Sequence, residues 1–298
     1  MRSETYHISL CAGIVLTLLT SSVTYADNIY VSCYGSGTIE KFNSSGNGTT
    51  FASGLSSPTG LAFDRSGNLY AANLGNGTIE KFDSSGNRTT FALGLSAPMG
   101  LAFGSSGYLY VANEGSGTIE KFDSSGNGTT FASGLNSPTG LAFDSSGNLY
   151  VANTSSGTIE KFNSSGNGTI FASGLVDGPT GLAFDSSGYL YVAEYFSGTI
   201  EKFDSGGNGT IFASGFTSGL VYPEGLAFDS SGYLYVASFL ADWVPYEYAE
   251  VIEKFDSSGN GTTFASGDAP YFIATQVPEP ATLLLLGLGA VVARRKRS

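Results

Sequence analysis

Histidine is nearly missing from this chain. Its one copy, His7, sits within the first ten residues, and nothing after it supplies an imidazole. Ser-His-Asp and Cys-His catalysis are thereby excluded from the body of the protein, as is any zinc or iron site with a histidine ligand. Cysteine is as scarce: Cys11 lies in an apolar N-terminal stretch, and Cys33 stands alone beyond it. No internal disulfide can form there, so stability has to come from a buried core. Basic residues are few. Between residues 27 and 276, eight Lys and Arg face twenty-three Asp and Glu, a formal net charge of −15. Such a balance works against nucleic acid and anionic membrane surfaces as partners. Helical periodicity is absent from residue 27 up to the C-terminal tail, and tryptophan occurs once, as Trp243.

Repetition fills the space these absences leave. The clearest copy reads Gly140-Leu-Ala-Phe-Asp-Ser-Ser-Gly-Asn-Leu-Tyr-Val-Ala-Asn153, then Gly157-Thr-Ile-Glu-Lys-Phe162, then Gly168-Thr-Ile-Phe-Ala-Ser-Gly174. The tyrosine segment starts at Ile29, Leu69, Leu109, Leu149, Leu190 and Leu234, in steps of 40, 40, 40, 41 and 44 residues. Each copy holds four short runs rich in Tyr, Phe, Ile, Val and Thr, separated by Gly, Ser, Asn and Asp. That is four strands per repeat, the make-up of a propeller blade. The spacing predicts an all-β, six-bladed β-propeller of four-stranded blades. The Gly-Leu-Ala-Phe strand occurs only five times, at Gly60, Gly100, Gly140, Gly181 and Gly225. The first repeat lacks it, and Phe272-Ile273-Ala274-Thr275 falls where a sixth copy is due. A C-terminal strand is therefore expected to complete the first blade and close the ring, which removes exposed sheet edges. The repeated Glu and Lys of Ile-Glu-Lys-Phe read as solvated outer-strand residues pairing across blades.

The segment Pro138-Thr-Gly-Leu-Ala-Phe-Asp-Ser-Ser-Gly-Asn-Leu-Tyr-Val-Ala-Asn153 resembles the NHL-type repeat of six-bladed β-propellers, over about residues 28–275. The resemblance implies a fold and says little of activity, because propellers host many functions. Some six-bladed relatives are lyases or hydrolases. Those that rely on histidine find no match here. A gluconolactonase-like group uses a central divalent cation held by Glu, Asn and Asp, and its ligand set is not matched convincingly. The weak metal candidates are Asn73, Asn113, Asn153 and Glu194, which end the tyrosine strands. Turn-forming Asn after a strand is the favoured reading of these positions. Loops such as Asp83 to Asn87 faintly resemble calcium loops but lack further carboxylates. No cofactor is expected, with Ca²⁺ the one left open.

The ends carry an address. Residues 1–26 hold a short apolar stretch and Thr24-Tyr25-Ala26, the pattern of a secretory signal peptide cut before Asp27. Residues 277–298 hold Pro278, Glu279 and Pro280, an apolar run, and then Arg294, Arg295, Lys296 and Arg297. This tail resembles the PEP-CTERM sorting signal of Gram-negative bacteria. The resemblance implies processing by an exosortase-type enzyme and display at, or release from, the cell surface. The run from Ala281 to Ala293 is short for a permanent membrane span, so a transient inner-membrane anchor is expected. The propeller is assigned to residues 27–276 and is expected to be a monomer.

What one copy alone carries is where a private function belongs. The loops after the tyrosine strands, and those leading to Pro-Thr-Gly, vary most in the last two blades. They bring Tyr195, Phe196, Tyr222, Trp243, Tyr246 and Tyr248 to one face, with Glu224 and Asp242 among them. Flat apolar rings beside acceptor groups suit a sugar or peptide ligand; a plug for the channel mouth is the competing reading. The chain is therefore expected to be a secreted or surface-displayed, non-catalytic binding propeller for exopolysaccharide or other matrix components. A cation-dependent lactonase or lyase is the first alternative, and a purely structural surface protein the second.

Overall fold

The computed structural model describes residues 27–176, 178–214, 221–240, 250–266 and 270–276. The signal segment 1–26, the tail 277–298 with its Pro-Glu-Pro and basic cluster, and the loop holding Asp242, Trp243, Tyr246 and Tyr248 lie outside them. Twenty-four strands form six antiparallel four-stranded sheets. Blades 2 to 6 are plain meanders over residues 58–93, 98–133, 138–173, 179–214 and 221–266, each running outward from its inner strand. Blade 1 is made from both ends of the propeller. Its outer three strands are Asn28–Cys33, Thr38–Phe42 and Gly48–Ala52, and its inner strand is Pro270–Gln276. Tyr30 pairs with Ala274 and Val31 with Ile273, as the missing sixth copy of the inner strand foretold. The inner strands touch one another in a closed cycle, so the ring has no open seam.

Burial follows distance from the axis. The second strand of blade 4, Leu149–Asn153, is buried at every residue, whereas the outer strand Gly168–Ser173 is exposed over its first three. A strand covered on both faces by neighbouring blades has no polar side to show, which explains the continuous apolar runs. Between blades the core is aromatic. Tyr70 meets Phe91 of its own outer strand and Phe103 of the next blade's inner strand, both edge-to-face with ring centroids 5.0 Å apart. Blades 3, 4 and 5 repeat this around Tyr110, Tyr150 and Tyr191. Such pairs add about 0.5–1.5 kcal/mol each beyond the area they bury.

Glycine is required where the inner strands pass closest to one another. A Cβ on Gly140 would fall on the carbonyl oxygen of Thr180, and one on Gly181 on that of Glu224. These are backbone atoms held by two sheets and have nowhere to retreat. Gly140→Val is expected to cost more than about 3 kcal/mol, because it overpacks a site that only backbone movement can relieve. Urea unfolding of the variant would show it; a midpoint within error of the parent would contradict the tight axial packing.

The repeated Lys residues find their anionic partners within their own blades. The ion pairs of Lys81, Lys161, Lys202 and Lys254 each go to an aspartate of the same blade. Lys81 lies 5.2 Å from the centre of the Tyr70 ring and 3.9 Å from Asp64, both in its own blade. Glu80 is buried and accepts the Thr90 hydroxyl at 3.1 Å.

Candidate functional site

The antiparallel meander sorts the loops onto two faces. One face carries the hairpins that begin with Asp or Asn. In the Asp83 turn, Oδ1 accepts the backbone N–H of Ser85 and of Asn87 at 2.9 Å, and Oδ2 accepts the Asn87 amide at 2.7 Å. Those hydrogen bonds, the one from the Asn87 side chain above all, hold the Asp83 carboxyl below its ordinary range. Both of its oxygens are engaged by the turn.

The opposite face carries the variable loops and the start of each inner strand. Two columns of residues meet there at the axis. One is the residue before the inner-strand glycine: Thr59, Met99, Thr139, Thr180 and Glu224, with Tyr271 in the sixth place. The other follows the second strand: Tyr34, Leu74, Glu114, Thr154 and Tyr195. Where threonine stands in the first column it stitches blades together. Thr59 donates to the Pro98 carbonyl at 2.9 Å and Thr180 to that of Pro223 at 3.0 Å. Where the column departs from threonine, the axis gains new chemistry. Met99, Leu74, Tyr271 and Phe272 join one apolar cluster although they come from blades 1, 2 and 3. Phe272 holds a place that is glycine in the other five inner strands, and its ring joins this apolar cluster.

Beside this apolar floor stand the acids. Glu224 is buried, and burial together with the nearby charge of Glu114 pushes its carboxyl up to about 8. It therefore carries a proton at neutral pH. Tyr195 stacks on Tyr222 with ring centroids 4.8 Å apart, and Phe196 meets Tyr195 edge-on at 5.0 Å. Burial, then Glu224, then Tyr222 raise the Tyr195 phenol. Tyr271 packs against Tyr34 at 5.4 Å, and burial followed by Glu224 and Glu114 raises its phenol as well. Side chains from blades 1, 3, 5 and 6 thus share one electrostatic neighbourhood at the mouth.

Of the residues singled out from sequence, Tyr195, Phe196, Tyr222 and Glu224 come together as expected. Tyr34, Glu114 and Tyr271 join them without having been foreseen. A column-by-column comparison of repeats would have found these three, because the second column changes at each blade and the first departs from threonine at Met99, Glu224 and Tyr271. The weak metal candidates do not converge. Asn73 shares its face with Leu69 and Ala71, which pack on blade 1, and its amide donates to Thr78 at 3.1 Å. Asn113 and Asn153 do the same in their own interfaces, donating to Thr118 and Thr158. Glu194 holds the matching strand position in blade 5. Each of the four ends the second strand of a different blade. Among the described residues, no cluster of three or more Cys, Asp or Glu side chains has the geometry to hold a metal. A rim cleft of about 650 Å³ also lies between blades 2 and 3, bordered by Leu93, Asn113 and Glu120. Most of its lining recurs in every blade.

The fold and this axial mouth define a six-bladed β-propeller, and known proteins agree. An NHL repeat is matched over residues 135–162, and the PEP-CTERM protein-sorting motif over residues 276–297. The sorting motif implies export and membrane-associated sorting by an exosortase-type system of Gram-negative bacteria. Among solved structures, a chain of a nidogen/laminin complex is similar at 22% identity, over 84% of this chain and 98% of that one, with a TM-score of 0.71. A gluconolactonase from Xanthomonas campestris is similar at 18% identity, over 83% and 86%, with a TM-score of 0.62. Virginiamycin B lyase from Staphylococcus aureus is similar at 17% identity, over 72% and 73%, with a TM-score of 0.57. At these identities the likeness is one of fold alone. No curated protein matches the sequence.

Proposed function

We propose that this is an exported surface protein whose variable face binds a carbohydrate chain without acting on it. The stacked Tyr195 and Tyr222, flanked by Phe196 and set beside buried Glu224, carry the reading. Paired rings offer flat apolar area for a sugar face, and a protonated carboxyl offers both a donor and an acceptor for its hydroxyls. Extracellular polysaccharide is the ligand class that the sorting motif favours, since it surrounds a protein displayed at the surface. Titration of the purified protein with the host's own polysaccharide, read by Trp243 emission, is expected to saturate. Tyr195→Ala and Tyr222→Ala are each expected to weaken binding at least about tenfold, as truncating a central aromatic anchor does. Binding unchanged in both variants would remove the stacked pair from the site.

A second reading rests on the same carboxyl. An acid that keeps its proton near neutral pH, beside the second acid Glu114, is what proton-transfer chemistry uses. The fold is also that of a gluconolactonase and a lyase. Turnover of a lactone panel that disappears in Glu224→Gln would favour the enzyme over the binding module.

A further inference from the structure

The hairpin face carries an internal comparison of its own. In blades 2, 4, 5 and 6 the turn after the inner strand begins with Asp64, Asp144, Asp185 or Asp229. In blade 5, Asp185 accepts the backbone N–H of Ser187 and of Tyr189 at 2.9 Å and the Tyr191 hydroxyl at 3.3 Å. The Lys202 ammonium lies 3.6 Å from the same carboxylate. Blade 6 repeats the arrangement: Asp229 accepts from Ser231 at 3.0 Å, Tyr233 at 2.8 Å and Tyr235 at 3.3 Å, with Lys254 at 3.9 Å. One carboxylate thus gathers four donors.

Blade 3 keeps all four donors and omits the carboxylate. Ser106, Tyr108, Tyr110 and Lys121 stand where their counterparts stand in blades 5 and 6, but Gly104 replaces the aspartate. The turn itself is unchanged. Gly104 N–H donates to the Tyr108 carbonyl at 2.9 Å, as Asp185 N–H donates to that of Tyr189 at 3.0 Å. Lys121 sits 4.3 Å from the Tyr108 ring centre, as Lys202 sits 4.2 Å from that of Tyr189. Among the described residues, no carboxylate comes within salt-bridge distance of Lys121. The Tyr110 hydroxyl has no aspartate to meet in its own turn.

The gap opens into a cleft of about 250 Å³ bordered by Gly104, Ser106, Tyr110 and Lys121 of blade 3 and by Phe143 and Asn163 of blade 4. Asn163 matters here. The same turn carries Asp83, Asp123, Asp204 and Asp256 in blades 2, 3, 5 and 6, but in blade 4 it is neutral. Lys121 is therefore the one charged side chain lining the cleft.

We propose that this cleft binds a carboxylate from outside the chain, in the place that the aspartate fills in the sister blades. Two hydroxyl or ammonium donors and two backbone N–H groups arranged around a point are the chemistry of a carboxylate site. The volume admits acetate, and it also admits the carboxyl end of a single sugar acid. Both share the group the donors read. The inference is independent of the axial mouth, which lies on the opposite face.

Thermal unfolding of the purified protein tests it, with sodium acetate, sodium glucuronate and sodium chloride compared at equal ionic strength. Either carboxylate is expected to raise Tm over chloride by about 2–4 °C at saturation. Gly104→Asp is expected to melt higher in chloride and to respond to neither. Lys121→Met is expected to lose the response, read as the difference between carboxylate and chloride for that variant itself. No effect of either carboxylate on the parent, or an equal effect on parent and Gly104→Asp, overturns the proposal.

Discussion

A chain cut after Ser266 is expected to lose the folded ring altogether. That truncation removes Pro270–Gln276 and leaves the Asn28–Cys33 strand unpaired on its inner edge. It also deletes Phe272 and Ile273, which are 8% and 5% exposed. Truncating a buried Phe or Ile to Ala costs about 2–5 kcal/mol, and here both go together with the strand's hydrogen bonds. The sum reaches the roughly 5–15 kcal/mol that holds a typical domain. Circular dichroism with size-exclusion chromatography would show an unfolded or aggregated chain. Ile273→Ala alone is the graded version, expected to lower stability by about 2–4 kcal/mol while the ring stays closed. A truncated chain that unfolds as cooperatively as the parent would mean that blade 1 holds without its borrowed strand.

Glu224→Gln is expected to stabilise the protein at alkaline pH and to change nothing in acid. The folded state holds the Glu224 proton up to about pH 8, whereas an ordinary glutamate releases it near 4.5. Between these values the unfolded chain binds fewer protons, so stability falls as pH rises through the window and levels off above it. The span corresponds to roughly 4–5 kcal/mol at 1.36 kcal/mol per unit. Gln keeps the shape without the charge. At pH 8.5 the variant should therefore melt higher by about 10 °C, and at pH 4 the two should coincide. The turn carboxyls work in the other direction. Asp83, Asp123, Asp204 and Asp256 have depressed folded values, chiefly through the Asn four residues on, so what they contribute is lost as pH falls through those values. Denaturation curves taken across the pH range separate the two effects. Parallel curves for parent and Glu224→Gln from pH 4 to 8.5 would show that Glu224 titrates normally.

The ring and its closure were legible because they follow from counting. Six tyrosine strands and five glycine strands leave one vacancy, and Phe272-Ile273-Ala274-Thr275 is the segment that fits it. Half of the axial site was legible for a similar reason. Tyr195, Phe196, Tyr222 and Glu224 belong to stretches that break the repeat visibly. Glu114 and Tyr34 differ from their counterparts by one residue in loops of ordinary length, and only closure of the ring brings Glu114 near Glu224 and Tyr34 against Tyr271. The Asn column was read by its place at a strand end, whereas its surroundings depend on the face it takes. Side chains alternate along a strand, and Asn73 follows Ala71 onto the face that meets the neighbouring blade. The same alternation separates each Glu from the Lys beside it. Gly104 was legible as a letter but not as a vacancy, since its meaning depends on the partners that Asp185 gathers in space.

Phe272 bears on how the chain avoids its own repetition. Blades 2 to 5 are so alike that several inner strands present the first repeat with nearly the same edge to pair with. A chain that paired Asn28–Cys33 with the wrong one, or with that of another copy, would make smaller rings or swapped dimers. Only the true partner carries a phenylalanine where the others carry glycine, and only it fills the apolar floor shared with Met99 and Leu74. Any other pairing forgoes those apolar contacts. Phe272→Gly should thus produce mixed assemblies during refolding as well as a weaker ring, since one side chain tells the six look-alike strands where the circle ends.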